Sequence, residues 1–143
     1  MSIVAEPLVA DYEVVYTTAK GKIKKVPEKE LFLVEIKGDL TLDDYQDIYP
    51  KTLDFVVKTG WKKLVFNLLD MDKDDLSGRA WYLRTHLPEV FKKVGDGFRC
   101  AVIQPSNMFQ RMALGMVVKG INAMGRKVTL KYMDSIDEAM DWI

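Results

Sequence analysis

The side chains best suited to chemistry crowd one short stretch. Asp70, Asp72, Asp74 and Asp75 fall within six residues, and Ser77 and Gly78 follow them. Carboxylates at alternating positions suit a hard divalent cation, and Asp70, Asp72 and Asp74 have the one-three-five spacing of a calcium loop. Such a loop needs glycine at its sixth place and glutamate at its twelfth, where this chain has Asp75 and Trp81. The calcium reading therefore fails. Neighbouring carboxylates can also divide acid and base roles, but that requires a pocket and perturbed protonation, which no pattern here supplies.

A metal-dependent phosphatase is a third chemistry open to these aspartates. The apolar run 64–69 leads into Asp70-Met71-Asp72, as in phosphatases of the haloacid dehalogenase type. That chemistry also asks for Thr or Val two residues after the second aspartate, where Asp74 stands, and for a later lysine and acidic pair. A plainer reading is a solvated loop whose last carboxylate, Asp75, caps a helix starting at Leu76 and complements its dipole. A buried strand, a polar loop and a helix N-terminus still form the unit on which open α/β sheets place their sites.

Elsewhere the signals for chemistry are thin. His86 is the single histidine and Cys100 the single cysteine, too few for a zinc site, and a Ser-His-Asp triad has one candidate base. At the end of its predicted helix His86 is placed where a cation is favoured. Cys100, inside 98–103 (FRCAVI), reads as a small hydrophobe. No GxGxxG or Walker loop occurs, so nucleotide cofactors have no signal. The expectation is a non-enzymatic protein with no cofactor, no metal and no catalytic residue.

The elements that would carry these residues follow from periodicity. Residues 12–18 (YEVVYTT) alternate as a strand, Lys20-Gly21 turns the chain, and 22–26 returns as a short lysine-rich strand. Residues 31–37 (LFLVEIK) form an inner strand. Thr41 with Asp44 caps a helix that runs to Thr59, with Pro50 inside it and Gly60 as its stop. The strand from Leu64, the acidic loop and a helix over 76–86 come next, with Pro88 opening a shorter helix over 89–94. Residues 98–103 are a continuous apolar strand, Ser106 caps a long helix to Met124, 128–132 alternate as a strand, and Ser135 with Glu138 boxes a last helix.

That order, β-β-β-α-β-α-β-α-β-α, predicts a single-domain α/β fold over 1–143 with its core from residue 12 onward. The sheet is expected to be mixed and largely parallel, with an antiparallel N-terminal hairpin and flanking helices. At 143 residues the chain can bury roughly 70% of its unfolded surface, enough for one core without disulfides. Net charge is zero, so composition gives no case for nucleic acid. Acidic residues concentrate over 35–54 and basic ones over 92–131, a pattern that solvated helix faces explain. A lone cysteine, no signal-peptide pattern over 1–13 and no run near the roughly 18 apolar residues of a membrane span predict a cytoplasmic protein that is not integral to a membrane.

The helix from Ser106 stands apart. Met108, Met112 and Met116 make one stripe, and Phe109, Ala113, Val117, Ile121 and Met124 a neighbouring one. Together they are wider than one sheet contact needs. Beyond core packing, Met108, Phe109, Met112 and Met116 are candidates for a subunit contact or for the wall of an apolar pocket, where flexible thioethers suit.

Four segments, 33–41 (LVEIKGDLT), 63–67 (KLVFN), 99–103 (RCAVI) and 137–143 (DEAMDWI), give the chain a layout that resembles the STAS superfamily, and within it SpoIIAA-like bacterial proteins of unknown function. The resemblance implies a regulatory or protein-interaction module. In the superfamily's anti-sigma-factor antagonists an Asp-Ser-x-Gly loop carries a serine whose phosphorylation switches partners. The matching stretch here is Asp75-Leu76-Ser77-Gly78, with Leu76 at the acceptor position. The partner-binding candidates are thus Asp72, Asp74, Asp75, Ser77, Gly78, Ser106 and Asn107, with a protein or a second copy as partner. The fold also resembles lipid-binding CRAL-TRIO domains, which implies as alternative a carrier of a small apolar ligand or lipid.

Overall fold

In the computed structural model residues 11–143 are described. The signal-peptide expectation falls mainly on residues 1–10, outside the described residues. Six strands form one sheet: β1 (Glu13–Thr17), β2 (Gly21–Val26), β3 (Leu31–Leu40), β4 (Lys63–Asp74), β5 (Phe98–Ile103) and β6 (Val128–Met133). They lie side by side in chain order. The first three are antiparallel neighbours, and β3 through β6 run parallel, as the alternation of strand and helix predicts.

The helices are α1 (Leu42–Thr59), α2 (Leu76–Trp81), α3 (Leu87–Val94), α4 (Met108–Ala123) and α5 (Ile136–Trp142). Each parallel crossover moves one strand onward in the same direction. A constant right-handed sense therefore puts α1 through α4 on one face of the sheet. That face presents Phe32, Val34, Leu64, Leu68, Cys100 and Val102. The opposite face presents Leu31, Leu33, Val65, Ala101 and Ile103, and α5 covers it with Ala139 and Met140. Strand order never reverses, so the sheet has no topological switch point. The crevice that such a point opens beyond the strand ends is not available, and a site must be sought beneath the helices or on their outer faces.

Helix ends follow local chemistry. Thr41 and Asp44 form a reciprocal capping box, with the Asp44 N–H donating to Thr41 Oγ1 at 3.3 Å and the Thr41 N–H to Asp44 Oδ2 at 2.8 Å. Gly60 ends α1 in the left-handed region at φ 75°. Pro50 sits within α1 without ending it. Ser135 caps α5 by accepting from the Glu138 N–H at 3.2 Å. The cap of α4 is Asn107 and not Ser106: its Oδ1 accepts from the Phe109 N–H at 2.8 Å and the Gln110 N–H at 3.4 Å.

Candidate functional site

The acidic stretch is not a loop. β4 runs on through Asp74, pairing with the end of β3 after its pairing with β5 has stopped at Asn67. Two bulges lie in this extension. Between Glu35 and Lys37 on β3 the partner strand advances from Asn67 to Asp70, and between Gly38 and Asp39 it advances from Met71 to Lys73. Each bulge adds one residue to β4 and so flips which residues face inward. The inward series Leu64, Phe66 and Leu68 continues as Met71 and then Asp74, three apart, and all five line the space under the helices. Asp70, Asp72 and Asp75 stay exposed.

Asp74 is thereby turned into the core, its side chain 3% exposed. The Tyr45 hydroxyl donates to Asp74 Oδ2 at 2.6 Å. Arg79, on α2, sets its Nε 3.2 Å from the same oxygen, close enough to pair the charges but without the alignment of a hydrogen bond. Asp74 Oδ1 has no partner among the described residues. Tyr45 stacks on Tyr49 with centroids 5.3 Å apart. Burial, then the nearby Tyr49 and Asp74, raise its pKa far above the ordinary tyrosine value. The phenol therefore remains a donor throughout the ordinary pH range. Gly78 completes the arrangement, because a Cβ there would meet Tyr45 Cδ2 at 2.3 Å.

Asp75 occupies the N-cap position of α2, but its side chain caps nothing; the Gly78 and Arg79 N–H groups bond its backbone carbonyl instead. The chain after Trp81 does not stop. It passes through one π-helical turn, Tyr82–His86, directly into α3. Pro88 cannot donate to Arg84, and the Leu87 N–H reaches back five residues to the Tyr82 carbonyl, so the widened turn absorbs the proline. His86 is consequently not at a helix C-terminus. It is buried at 7% exposure, stacked on Trp81 at 5.4 Å and beside Tyr49 and Tyr82. Burial lowers its pKa to about 4, so it is a neutral imidazole at pH 7.

Between the sheet and α1 to α4 lies a cavity of about 120 Å³. Its wall is mostly apolar, and its polar groups come from Thr52, Asp74, Arg79, His86, Gln110 and the tyrosines Tyr45, Tyr49 and Tyr82. On α4 the lining residues are Gln110, Ala113, Leu114, Val117, Val118 and Ile121. Met108, Phe109, Met112 and Met116 do not take part: they stand 71%, 70%, 68% and 68% exposed. The pocket-wall expectation for these four is thus corrected. The helix turns its Gln110–Ile121 face inward, because those positions recur at three- and four-residue spacing opposite the methionines.

The partner-binding candidates divide in the same way. Asp72, Asp75, Ser77, Ser106 and Asn107 are exposed, and Asn107 Nδ2 donates to the Asp72 carbonyl at 3.4 Å, which joins the tip of β4 to the start of α4. Asp74 and Gly78 are inside and offer a partner no surface. Leu76, at the position expected of a phosphoacceptor, is 72% exposed. Among the described residues no three His, Cys, Asp or Glu side chains converge as a metal-binding group, since the bulges send Asp70 and Asp72 outward and Asp74 inward. No described helix is long and apolar enough to cross a membrane. Tyr45, Arg79 and Gln110 escaped sequence reasoning; the one available signal was a lone glutamine in register with Ala113, Val117 and Ile121.

No model of a known protein family matches the chain, and no curated protein matches it in sequence. Solved structures do match. An uncharacterized protein of the DUF3478 family with a SpoIIAA-like fold, from Shewanella loihica PV-4, is 18% identical with a TM-score of 0.53, covering 92% of this chain and 91% of that one. The Bacillus cell fate determinant SpoIIAA in its phosphorylated form is 16% identical with a TM-score of 0.51, covering 92% and 98%. The fold is therefore SpoIIAA-like.

Proposed function

We propose that the protein is a non-enzymatic regulatory module that acts by binding a protein partner through the outer face of α4 and the adjoining tip of β4. One observation carries this reading: Met108, Phe109, Met112 and Met116 are each at least 68% exposed on one helix. At the start of the helix Asn107 meets the carbonyl of the exposed Asp72, and further along the same face Lys119 is exposed. An apolar stripe with an acid beside its start and a lysine towards its end fits a protein partner whose apolar contact face carries the complementary charges. Fully burying one such side chain contributes about 1.5–3 kcal/mol. Four of them supply about 6–12 kcal/mol, against an association cost of about 4–15 kcal/mol. That balance suits a transient, exchangeable contact. The shared fold supports a regulatory reading, since the Bacillus protein bearing it is called a cell fate determinant.

The test is site-specific photocrosslinking in cells from position 112, with position 58 on α1 as control, followed by purification of the captured protein and a direct binding measurement. Binding should be lost in Met112→Glu/Met116→Glu and should weaken with salt and in Asp72→Lys. Capture only of lipid, or a partner that binds the double variant equally well, would overturn the reading. Capture of a second copy would identify the partner as the chain itself.

A further inference from the structure

Sulfur is placed unevenly in this molecule. Met108, Met112 and Met116 repeat at four-residue spacing on the outer face of α4, each at least 68% exposed. The other described methionines are shielded. Met71, Met133 and Met140 are no more than 6% exposed, and Met124 packs against the main core cluster. Cys100 is buried, and burial pushes its thiol up to about 12, so it holds its proton at neutral pH. A thioether reacts as the neutral group and needs no ionisation. Access to solvent therefore decides which sulfur meets an oxidant, and access is given to three thioethers one helical turn apart.

We propose that Met108, Met112 and Met116 are a reversible oxidation site, where a peroxide turns the apolar stripe of α4 polar and releases the partner. In each step a thioether sulfur attacks one oxygen of hydrogen peroxide. The O–O bond breaks as the S–O bond forms; methionine is oxidised by two electrons to its sulfoxide, and the peroxide is reduced to water. Return takes the two epimer-specific sulfoxide reductases, which pass two electrons from a dithiol, release the oxygen as water and leave a disulfide. The release of a partner rests on the docking face proposed for α4, whereas the chemistry at sulfur does not. Each sulfoxide adds a strong acceptor that a dry apolar contact leaves unpaired. The fold is spared, because the three side chains stand in solvent, while oxygen on Met71, Met133 or Met140 would have to enter packed space.

The full chain is treated with dilute hydrogen peroxide, and the oxygen on each methionine is followed by peptide mass spectrometry. Met108, Met112 and Met116 should each gain one oxygen before Met71, Met133 and Met140 gain any, and in urea that order should vanish. Retention of the folded chain on a phenyl column, which needs no partner, should fall with oxidation and recover with the two reductases. The captured partner should bind the oxidised chain at least roughly tenfold more weakly. In Met108→Leu/Met112→Leu/Met116→Leu, whatever its starting affinity, peroxide should change neither retention nor binding. Oxygen spread evenly over exposed and buried methionines of the folded chain would overturn the proposal. So would unchanged retention, or a partner that binds the oxidised chain equally well. If crosslinking captures no protein, the docking face fails by itself, and the order of oxidation and the column still decide the oxidation site.

Discussion

Acid should destabilise this protein through His86 by an amount that the structure sets. In the folded chain burial against Trp81, Tyr49 and Tyr82 lowers the imidazole to about 4, whereas its ordinary value is 6.5. Below pH 6.5 the unfolded chain takes up a proton that the folded chain refuses. Stability is therefore complete above 6.5, falls as pH drops towards 4, and levels off once both states are protonated. At about 1.4 kcal/mol per pH unit, the loss is about 2 kcal/mol at pH 5 and about 3 kcal/mol at pH 4. Against a total of about 5–15 kcal/mol for a domain, that is a substantial share. Carboxylates add their own acid sensitivity. Asp44 is one, where the burial penalty is outweighed by the combined hydrogen bonds from Thr41 and Lys20 and the Lys20 charge, which hold its pKa down. The informative quantity is thus the difference between the wild-type chain and His86→Phe, which keeps an aromatic ring in the stack. Urea unfolding followed by tryptophan fluorescence at pH 7.5, 6, 5 and 4 measures both. The two stabilities should converge or cross as pH falls, with a relative gain for the variant approaching about 3 kcal/mol. Curves that stay parallel from pH 7.5 to 4 would show that the imidazole is not held neutral by burial, and would refute the reasoning.

Other substitutions have equally direct expectations. Gly78→Ala drives a methyl into the Tyr45 ring and should cost about 1–3 kcal/mol, read as a lower urea midpoint with unchanged slope. Arg79→Met leaves Asp74 buried without its cation and should cost about 3–5 kcal/mol, part of which Asp74→Leu in the same chain should restore. Cys100 is buried, and burial pushes its thiol up to about 12; a thiol reagent should label it slowly in the folded chain and fast in urea. Met112→Glu, on an exposed position, should change stability by no more than about 0.5 kcal/mol, so that a loss of partner binding cannot be blamed on the fold.

Much of the architecture was legible because it is written in local chemistry. Thr41 with Asp44, Gly60 and Ser135 with Glu138 mark helix ends through groups only a few residues apart, and the largely apolar strands 31–36 and 98–103 declare a sheet covered on both faces. The same chemistry misled where the backbone departs from a regular repeat. The alternating aspartates imitate a ligand loop, yet β4 continues through them, and two bulges that depend on pairing with β3 choose which of them turns inward.

By itself, then, the sequence determined the order of elements, the parallel sheet and most caps, since these rest on periods of two and 3.6 residues and on contacts close in the chain. It also contained the broad apolar surface of α4. Only the tertiary structure decided which stripe of that helix faces outward, that Asp74 pairs with Tyr45 and Arg79 while Asp72 meets solvent, and that Gln110 and Asp74 share one cavity. Those outcomes depend on strand register and helix rotation, which are set by contacts between residues distant in the chain and leave no period along it.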